Sequence, residues 1–357
     1  MGSISRMITE FCLDLYNKVN RTTEGQNIVF SPMSICTSLG LILLGARNNT
    51  AAQIEKVILS KQELKSLYAA TISLWRSISK FFSEIFRISS EQVWLIDNLY
   101  SALQKYLMCS EELYRAALET VDFQRATEAS RLKINDWVES ETQGKTKQNC
   151  SCTIFSLFQC SFKKNSNERK PVQMMYQKGT FKLGYIEELG TQVLELPYAQ
   201  KLLSMIILLP GDTADGSTSG LEQTESTMTY ENLMLWFSSE HMFETVVEVY
   251  LPQFKLEGTF NLNEVLKAMG MTDIFTESKA DLSALSSEKS LVLSNIVHKA
   301  YVEVNEEGTT AAAATGATIV RRSLPLTEVF MADRPFLFFI RHNSTDTILF
   351  FGKFCSP

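Results

Sequence analysis

The chain has 357 residues, of which 45% are hydrophobic and 21% charged, with 16 glycines and 8 prolines. That balance excludes a disordered, collagenous or proline-rich chain, and the length fits two ordinary domains or one large mixed fold. Lys and Arg number 34 against 40 Asp and Glu, a net charge of −6 without a dense basic run, so nucleic acid is not an expected partner.

The N-terminus, M-G-S-I-S-R-M-I-T-E-F-C-L-D-L-Y, has no apolar core followed by a small-residue cleavage site. It reads as an amphipathic helix with Ile8, Phe11, Cys12, Leu15 and Val19 on one face. Arg6 stands where a myristoylation pattern needs Ser or Thr. The expectation is a cytoplasmic chain without a cleavable signal, leaving the cell only by unconventional release. Ser31 then Pro32 form an N-cap with proline at the first helical position, and Met33 to Leu44 is apolar nearly all round, a buried helix. The longest apolar runs, Ile35–Ala46 and Leu202–Leu209, fall short of the roughly 20 residues of a spanning helix, so no membrane is expected.

Thr50 and Gln53 have the spacing of a capping box for the next helix. A further helix is expected around Ala129–Ser140, carrying Leu132, Ile134, Trp137 and Val138. The second half turns to strands. Thr191–Pro197 and Leu203–Leu209 read as a hairpin, Thr245–Leu251 is β-branched and ends at Pro252, and His298–Asn305 is β-rich. Pro335–Arg341 and Thr347–Phe354 form a second hairpin across H-N-S-T-D. Helices first and antiparallel strands later argue an α+β fold. No internal repeat or linker divides the chain, so one domain over 1–357 is expected.

Chemistry-bearing residues are sparse. Seven cysteines lie at 12, 36, 109, 150, 152, 160 and 355, an odd number at irregular spacing, for which reduced thiols are the default. Cys150, Cys152 and Cys160 cluster, but the histidines are distant (His241, His298, His342) and no zinc pairing is present; neither a metal nor a cofactor is expected. Asn20, Asn48, Asn149 and Asn343 each open an Asn-x-Ser/Thr sequon. No nucleophile elbow, dinucleotide fingerprint or phosphate loop occurs, and the nearest string, Gly216-Ser217-Thr218-Ser219-Gly220, has threonine at its centre. His298 opens a strand, the position of a hydrogen-bonded structural residue rather than a base. The chain is not expected to be an enzyme.

Residues 306–323 read E-E-G-T-T-A-A-A-A-T-G-A-T-I-V-R-R-S. The alanine run permits a short helix, although four threonines and the bracketing Gly308 and Gly316 oppose it. A linker is a second reading. In a third, the strand period of two puts Thr309, Ala311, Ala313 and Thr315 on one face, all of them small. Such a segment can enter between strands, and without proline every backbone N–H is free to pair. It runs into Arg321-Arg322-Ser323, a dibasic site of the kind a trypsin-like protease cleaves through its acidic specificity pocket.

With N-I-V-F-S-P-M-S (27–34), L-E-L-P-Y and L-S-M-I-I-L-L-P (194–210), V-Y-L-P-Q-F-K-L (249–256), M-G-M-T-D-I-F (269–275), A-D-L-S (280–283), V-H-K-A-Y-V-E-V-N-E-E-G-T-T-A-A-A-A-T-G (297–316), F-M-A-D-R-P-F-L-F-F-I-R-H (330–342) and T-I-L-F-F-G-K (347–353), the chain resembles the serpins, in their ovalbumin-like intracellular branch. The resemblance implies helices around three mostly antiparallel β-sheets and an exposed reactive-centre loop at about 306–329. It implies a monomeric suicide inhibitor whose partner is a trypsin-like serine protease. Arg322 and Ser323 would form the reactive bond, with Arg321 as the adjacent or alternative bait. Glu307, Gly308, Thr309, Thr310, Ala311, Ala312, Ala313, Ala314 and Thr315 would be the hinge that inserts into the main sheet. Ser31, Ser34 and His298 would lie in the shutter where strands part.

The chain departs from the family at Lys147–Val172, which is short and lacks the N-A-x-Y-F-K-G-x-W pattern of a central strand bordering the insertion gap. T-I-F-S-L-F-Q-C-S-F (153–162) is the available substitute. Leu59–Gln92 is also poorly matched, and Asp97 stands where the family usually has Asn. These departures support the alternative of a non-inhibitory member, a protease substrate or binding protein.

Overall fold

The structure is a computed structural model that describes residues 2–23, 25–58, 93–97, 106, 117–121, 156–165, 168–198, 201–211, 220–287, 291–305 and 327–357. These fall into two compact units, one drawn from residues 34–148 and 261–297, the other from residues 2–33, 149–260 and 298–357.

The second unit is built on a nine-stranded sheet. Its strands are β1 (Ile28–Phe30), β4 (Ser156–Lys163), β5 (Arg169–Ile186), β6 (Thr191–Pro197), β7 (Leu203–Pro210), β8 (Met242–Pro252), β11 (Glu328–Met331), β12 (Phe336–His342) and β13 (Thr347–Phe354). The order is β1-β13-β12-β7-β6-β5-β8-β11, with β4 against β5. The two expected hairpins are present, β6 with β7 and β12 with β13, the latter with a register shift between Ile340 and Arg341. All residues of β7 and β12 are buried, which is why these segments read as continuous apolar runs rather than alternating ones. Phe254 gathers Phe336, Phe338 and Phe354 at centroid separations of 5.9, 5.6 and 4.8 Å. Each such buried ring contributes roughly 1.5–3 kcal/mol through lost water contact. Phe338 lies opposite Gly352, where a Cβ would stand 2.2 Å from the ring, so glycine there makes room for the aromatic core.

Helix α1 (Gly2–Asn20) packs on β13 through the predicted face, with Ile8, Phe11, Cys12, Leu15 and Val19 all buried. The hydroxyls of Thr22 and Thr23 donate to the Val19 carbonyl and close its end. A buried ion pair fixes it further. Lys353 Nζ lies 2.7 Å from Glu225 of α4 (Gly220–Thr227) and donates to Asn20 Oδ1, while Tyr16 donates to the same carboxylate at 2.6 Å. A short helix, α5 (Tyr230–Trp236), is capped by Thr229, whose hydroxyl accepts from Asn232 N–H. A separate two-stranded sheet pairs β9 (Phe254–Asn261) with β10 (Val297–Val304).

The first unit holds most of α2 (Pro32–Gly45), then α3 (Asn48–Ile58), α6 (Asn263–Met269) and a parallel pair, β2 (Val93–Asp97) with β3 (Ala117–Val121). These two strands interrupt the stretch expected to be mainly helical. The capping-box expectation also fails. Helix α3 starts at Asn48, ahead of Thr50, and the Thr50 hydroxyl instead accepts from Asp281 N–H. Gln53 Oε1 accepts from the N–H groups of Thr272 and Asp273. Both side chains cap a distant segment rather than their own helix. The expected helix at 129–140 and the stretch Leu59–Gln92 lie outside the described residues, as does the loop at 212–219.

Candidate functional site

The candidate loop is anchored by two described strands. β10 alternates strictly: His298, Ala300, Val302 and Val304 are buried, while Val297, Lys299, Tyr301 and Glu303 face outward. The outward side chains fasten it to β9. Lys299 pairs with Glu257 at 2.7 Å, and Lys255 lies 5.0 Å from the centre of the Tyr301 ring. After Asn305 the chain passes through 306–326 and returns as β11, parallel to β8 from Glu328 opposite Val247 to Met331 opposite Tyr250, with Phe330 fully buried. The hinge residues Glu307, Gly308, Thr309, Thr310, Ala311, Ala312, Ala313, Ala314 and Thr315, and the bait residues Arg321, Arg322 and Ser323, lie outside the described residues.

Two of the three shutter residues are brought together. Ser31 sits where β1 ends and α2 begins. Its N–H donates to His298 Nε2 at 3.0 Å, and its hydroxyl donates to the Leu349 carbonyl of β13 at 2.8 Å. One residue therefore ties the start of β10 to the end of β1 and to β13 of the nine-stranded sheet. An accepting Nε2 puts the imidazole proton on Nδ1 and leaves the ring neutral. Burial pushes the His298 pKa down to about 4, because a charged ring would be desolvated there. Ser34 lies in the first turn of α2, half-buried. Sequence reading missed Gly258 in this region. A Cβ at Gly258 would stand 2.2 Å from the Val29 carbonyl oxygen, so β9 approaches β1 backbone to backbone two residues before Ser31. Glycine inside a strand pattern was the available signal.

The substitute strand needs correction. Residues 156–163 do form a strand, β4, but it pairs antiparallel with β5 from Ser156 opposite Tyr176 to Lys163 opposite Arg169, at the margin of the nine-stranded sheet. Among the described residues β10 has one strand neighbour, β9. Cys160 lies on β4, whereas Cys150 and Cys152 fall outside the described residues. Among the described residues no group of three or more His, Cys, Asp or Glu could hold a metal ion. No helix among them is long and apolar enough to cross a membrane.

The family model described as serpin (serine protease inhibitor) matches residues 6–156 and 155–357. The chain is a serpin. Its relatives place it in the ovalbumin-like branch: Serpin B11 of Homo sapiens is 43% identical over 401 residues, leukocyte elastase inhibitor of Homo sapiens 40% over 383, and ovalbumin of Dromaius novaehollandiae 38% over 394, each covering 100% of both chains. Among solved structures this serpin resembles uncleaved ovalbumin, with a TM-score of 0.83 at 34% identity and 100% coverage of both chains. It also resembles maspin, with a TM-score of 0.87 at 29% identity, covering 100% of this chain and 99% of that one. The two family matches meet at 155 and 156, inside the stretch Lys147–Val172. The alignment with leukocyte elastase inhibitor runs over 383 positions against 357 residues here, so at least 26 positions have no counterpart in this serpin.

Proposed function

We propose that this serpin, taken as one domain over 1–357, inhibits trypsin-like serine proteases by suicide loop insertion, with Arg322–Ser323 as the reactive bond. One observation supports the reading: the chain enters the hinge segment from a paired strand, β10, and leaves the bait segment into another, β11, so both ends of the segment are anchored in described strands of two sheets. The protease serine attacks the Arg322 carbonyl carbon. The bond to the Ser323 nitrogen breaks, the amine leaves with a proton, and Arg322 remains as an ester on the protease. The freed segment from Gly308 onward then adds to the sheet edge at β10, carrying the protease with it, a release of stored strain by loop insertion. Ser31 and His298 hold the junction that must yield. The molecule acts as a cytoplasmic monomer.

The second reading, a protease substrate or binding protein on the same fold, is favoured by β9 being the one strand neighbour of β10 among the described residues, and by the break in the family match at 155 and 156. Mixing the protein with trypsin and running a denaturing gel separates the two. A stable covalent complex, lost in Arg322→Ala, is the expected result. Clean cleavage after Arg322 with trypsin still active refutes inhibition and leaves the second reading.

A further inference from the structure

The four Asn-x-Ser/Thr sequons take no part in the inhibitory reading, yet the fold treats those it describes very differently. We infer that the native fold accepts an N-linked glycan at Asn48 and excludes one at Asn343.

The chemistry sets the requirement. Oligosaccharyl transfer from a lipid diphosphate-linked sugar forms a bond between the anomeric carbon and Asn Nδ2. The bond from that carbon to the diphosphate oxygen breaks, and Nδ2 gives up one of its two hydrogens. A glycosylated asparagine therefore keeps a single amide hydrogen and carries a bulky polar chain that must reach solvent. Whether a sequon is compatible with the fold reduces to two questions: how many of its amide hydrogens are already engaged, and which way out is open.

Asn343 has both hydrogens engaged. Nδ2 donates to the Lys201 carbonyl at 2.9 Å and to Ser204 Oγ at 2.9 Å, while the Asn343 backbone N–H donates to the Leu202 carbonyl. Its Oδ1 is buried as well. The side chain thus bolts the β12–β13 turn onto the turn between β6 and β7, and a sugar on Nδ2 must break one of these bonds and part the two turns. Asn48 is the opposite case. It is exposed, it opens α3 in the left-handed region at φ 50°, and one of its amide hydrogens engages an exposed oxygen of Asp281 at 2.7 Å. Asn20 stands between these extremes: Nδ2 donates once, to Glu225, and Oδ1 accepts from the buried Lys353. Asn149 lies outside the described residues. Because sugar transfer to a nascent chain precedes folding, modification at Asn343 traps the chain short of its native state, whereas modification at Asn48 does not.

The test directs the full chain into a glycosylating compartment behind a cleavable leader and separates the secreted, protease-resistant pool from the retained pool. Peptide N-glycosidase in heavy-oxygen water then marks each formerly occupied asparagine for mass spectrometry. The expected pattern is Asn48 marked in the folded pool, with Asn343 occupancy there at least about tenfold below the retained pool, as the loss of a bond plus a desolvated carbonyl implies. A folded pool carrying Asn343 glycan, or no mark on Asn48 in either pool, overturns the inference. Unglycosylated protein from a bacterial host supplies the second measurement. Asn343→Gln should lower the melting temperature by about 2 °C or more, since it gives up the bonds to the Lys201 carbonyl and Ser204 Oγ. An unchanged melt overturns it as well.

Discussion

Replacing His298 with glutamine removes the titrating ring at the junction of β1, α2 and β10 while keeping an acceptor of similar reach. In the native protein Nε2 already accepts from Ser31 N–H at 3.0 Å, and the residue is 8% exposed. A second proton on the ring would set donor against donor and desolvate a charge. Burial accordingly lowers the pKa from 6.5 to about 4. For a histidine depressed on folding, the unfolded chain binds the proton more tightly. The stabilising contribution is fully present above pH 6.5, declines as the pH falls toward 4, and is gone below that. The whole span corresponds to about 3 kcal/mol, and about 2.5 kcal/mol of it is lost between pH 7.5 and pH 4.5. Urea unfolding of wild type and His298→Gln at these two pH values gives the answer as a difference. Carboxylates titrate alike in both proteins, so the wild type should lose about 2.5 kcal/mol more than the variant. Equal losses would refute the claim that this imidazole is held neutral by its place in the junction.

Gly258→Ala pushes a methyl group to within 2.2 Å of the Val29 carbonyl oxygen. Two backbones must separate, so a loss of about 1–3 kcal/mol is expected in a urea or thermal melt, against none for a spectator site. Lys353→Met strands the buried Glu225 carboxylate that now lies 2.7 Å from the ammonium. The melt should report a loss of about 3–5 kcal/mol, much of it recovered in the double variant with Glu225→Gln, because the penalty is an unpaired buried charge. Alkylation of the native protein at mildly alkaline pH, mapped by mass spectrometry, should label the half-exposed Cys160 well before Cys12, Cys36 and Cys355, which are buried. Burial also raises the Cys355 thiol to about 11 and the Cys36 thiol still further, which keeps the thiolate scarce.

What could be read from the chain divides by the range of the forces involved. The hairpins at β6–β7 and β12–β13 were legible because each is an apolar run, a polar turn and a second run within one stretch of chain. The buried stripe of α1 was legible from its own period. Thr50 and Gln53 were misread because their spacing imitates a cap, while their actual partners, Asp281, Thr272 and Asp273, lie more than 200 residues away. The strand at 156–163 was legible as a strand but not by its neighbour. A period of two tells which faces a strand presents and nothing about which edge it joins. At the candidate site, His298 and Ser31 were named from motif likeness, but the acceptor role of Nε2 and the Leu349 carbonyl are products of three chain segments converging.

That last limit bears on the insertion step. A freed segment from Gly308 to Arg322 is long enough to run the full length of β10, which has eight residues. Pairing along one edge forms on the order of eight backbone bonds, each contributing about 0.5–1.5 kcal/mol net, or roughly 4–12 kcal/mol in all. A second bordering strand would add a comparable ladder. Stabilisation scales to about 2–4 °C per kcal/mol for large domains, so one ladder raises the melting temperature by roughly 10–50 °C and two ladders by more. Cleavage of the loop after Arg322, followed by a thermal melt, therefore does more than ask whether insertion occurs. With β9 as the one described neighbour of β10 and the family match broken at 155 and 156, the expected rise is that of a single ladder. An unchanged melt after verified cleavage refutes insertion, and a rise well above that range shows that a second strand borders the gap.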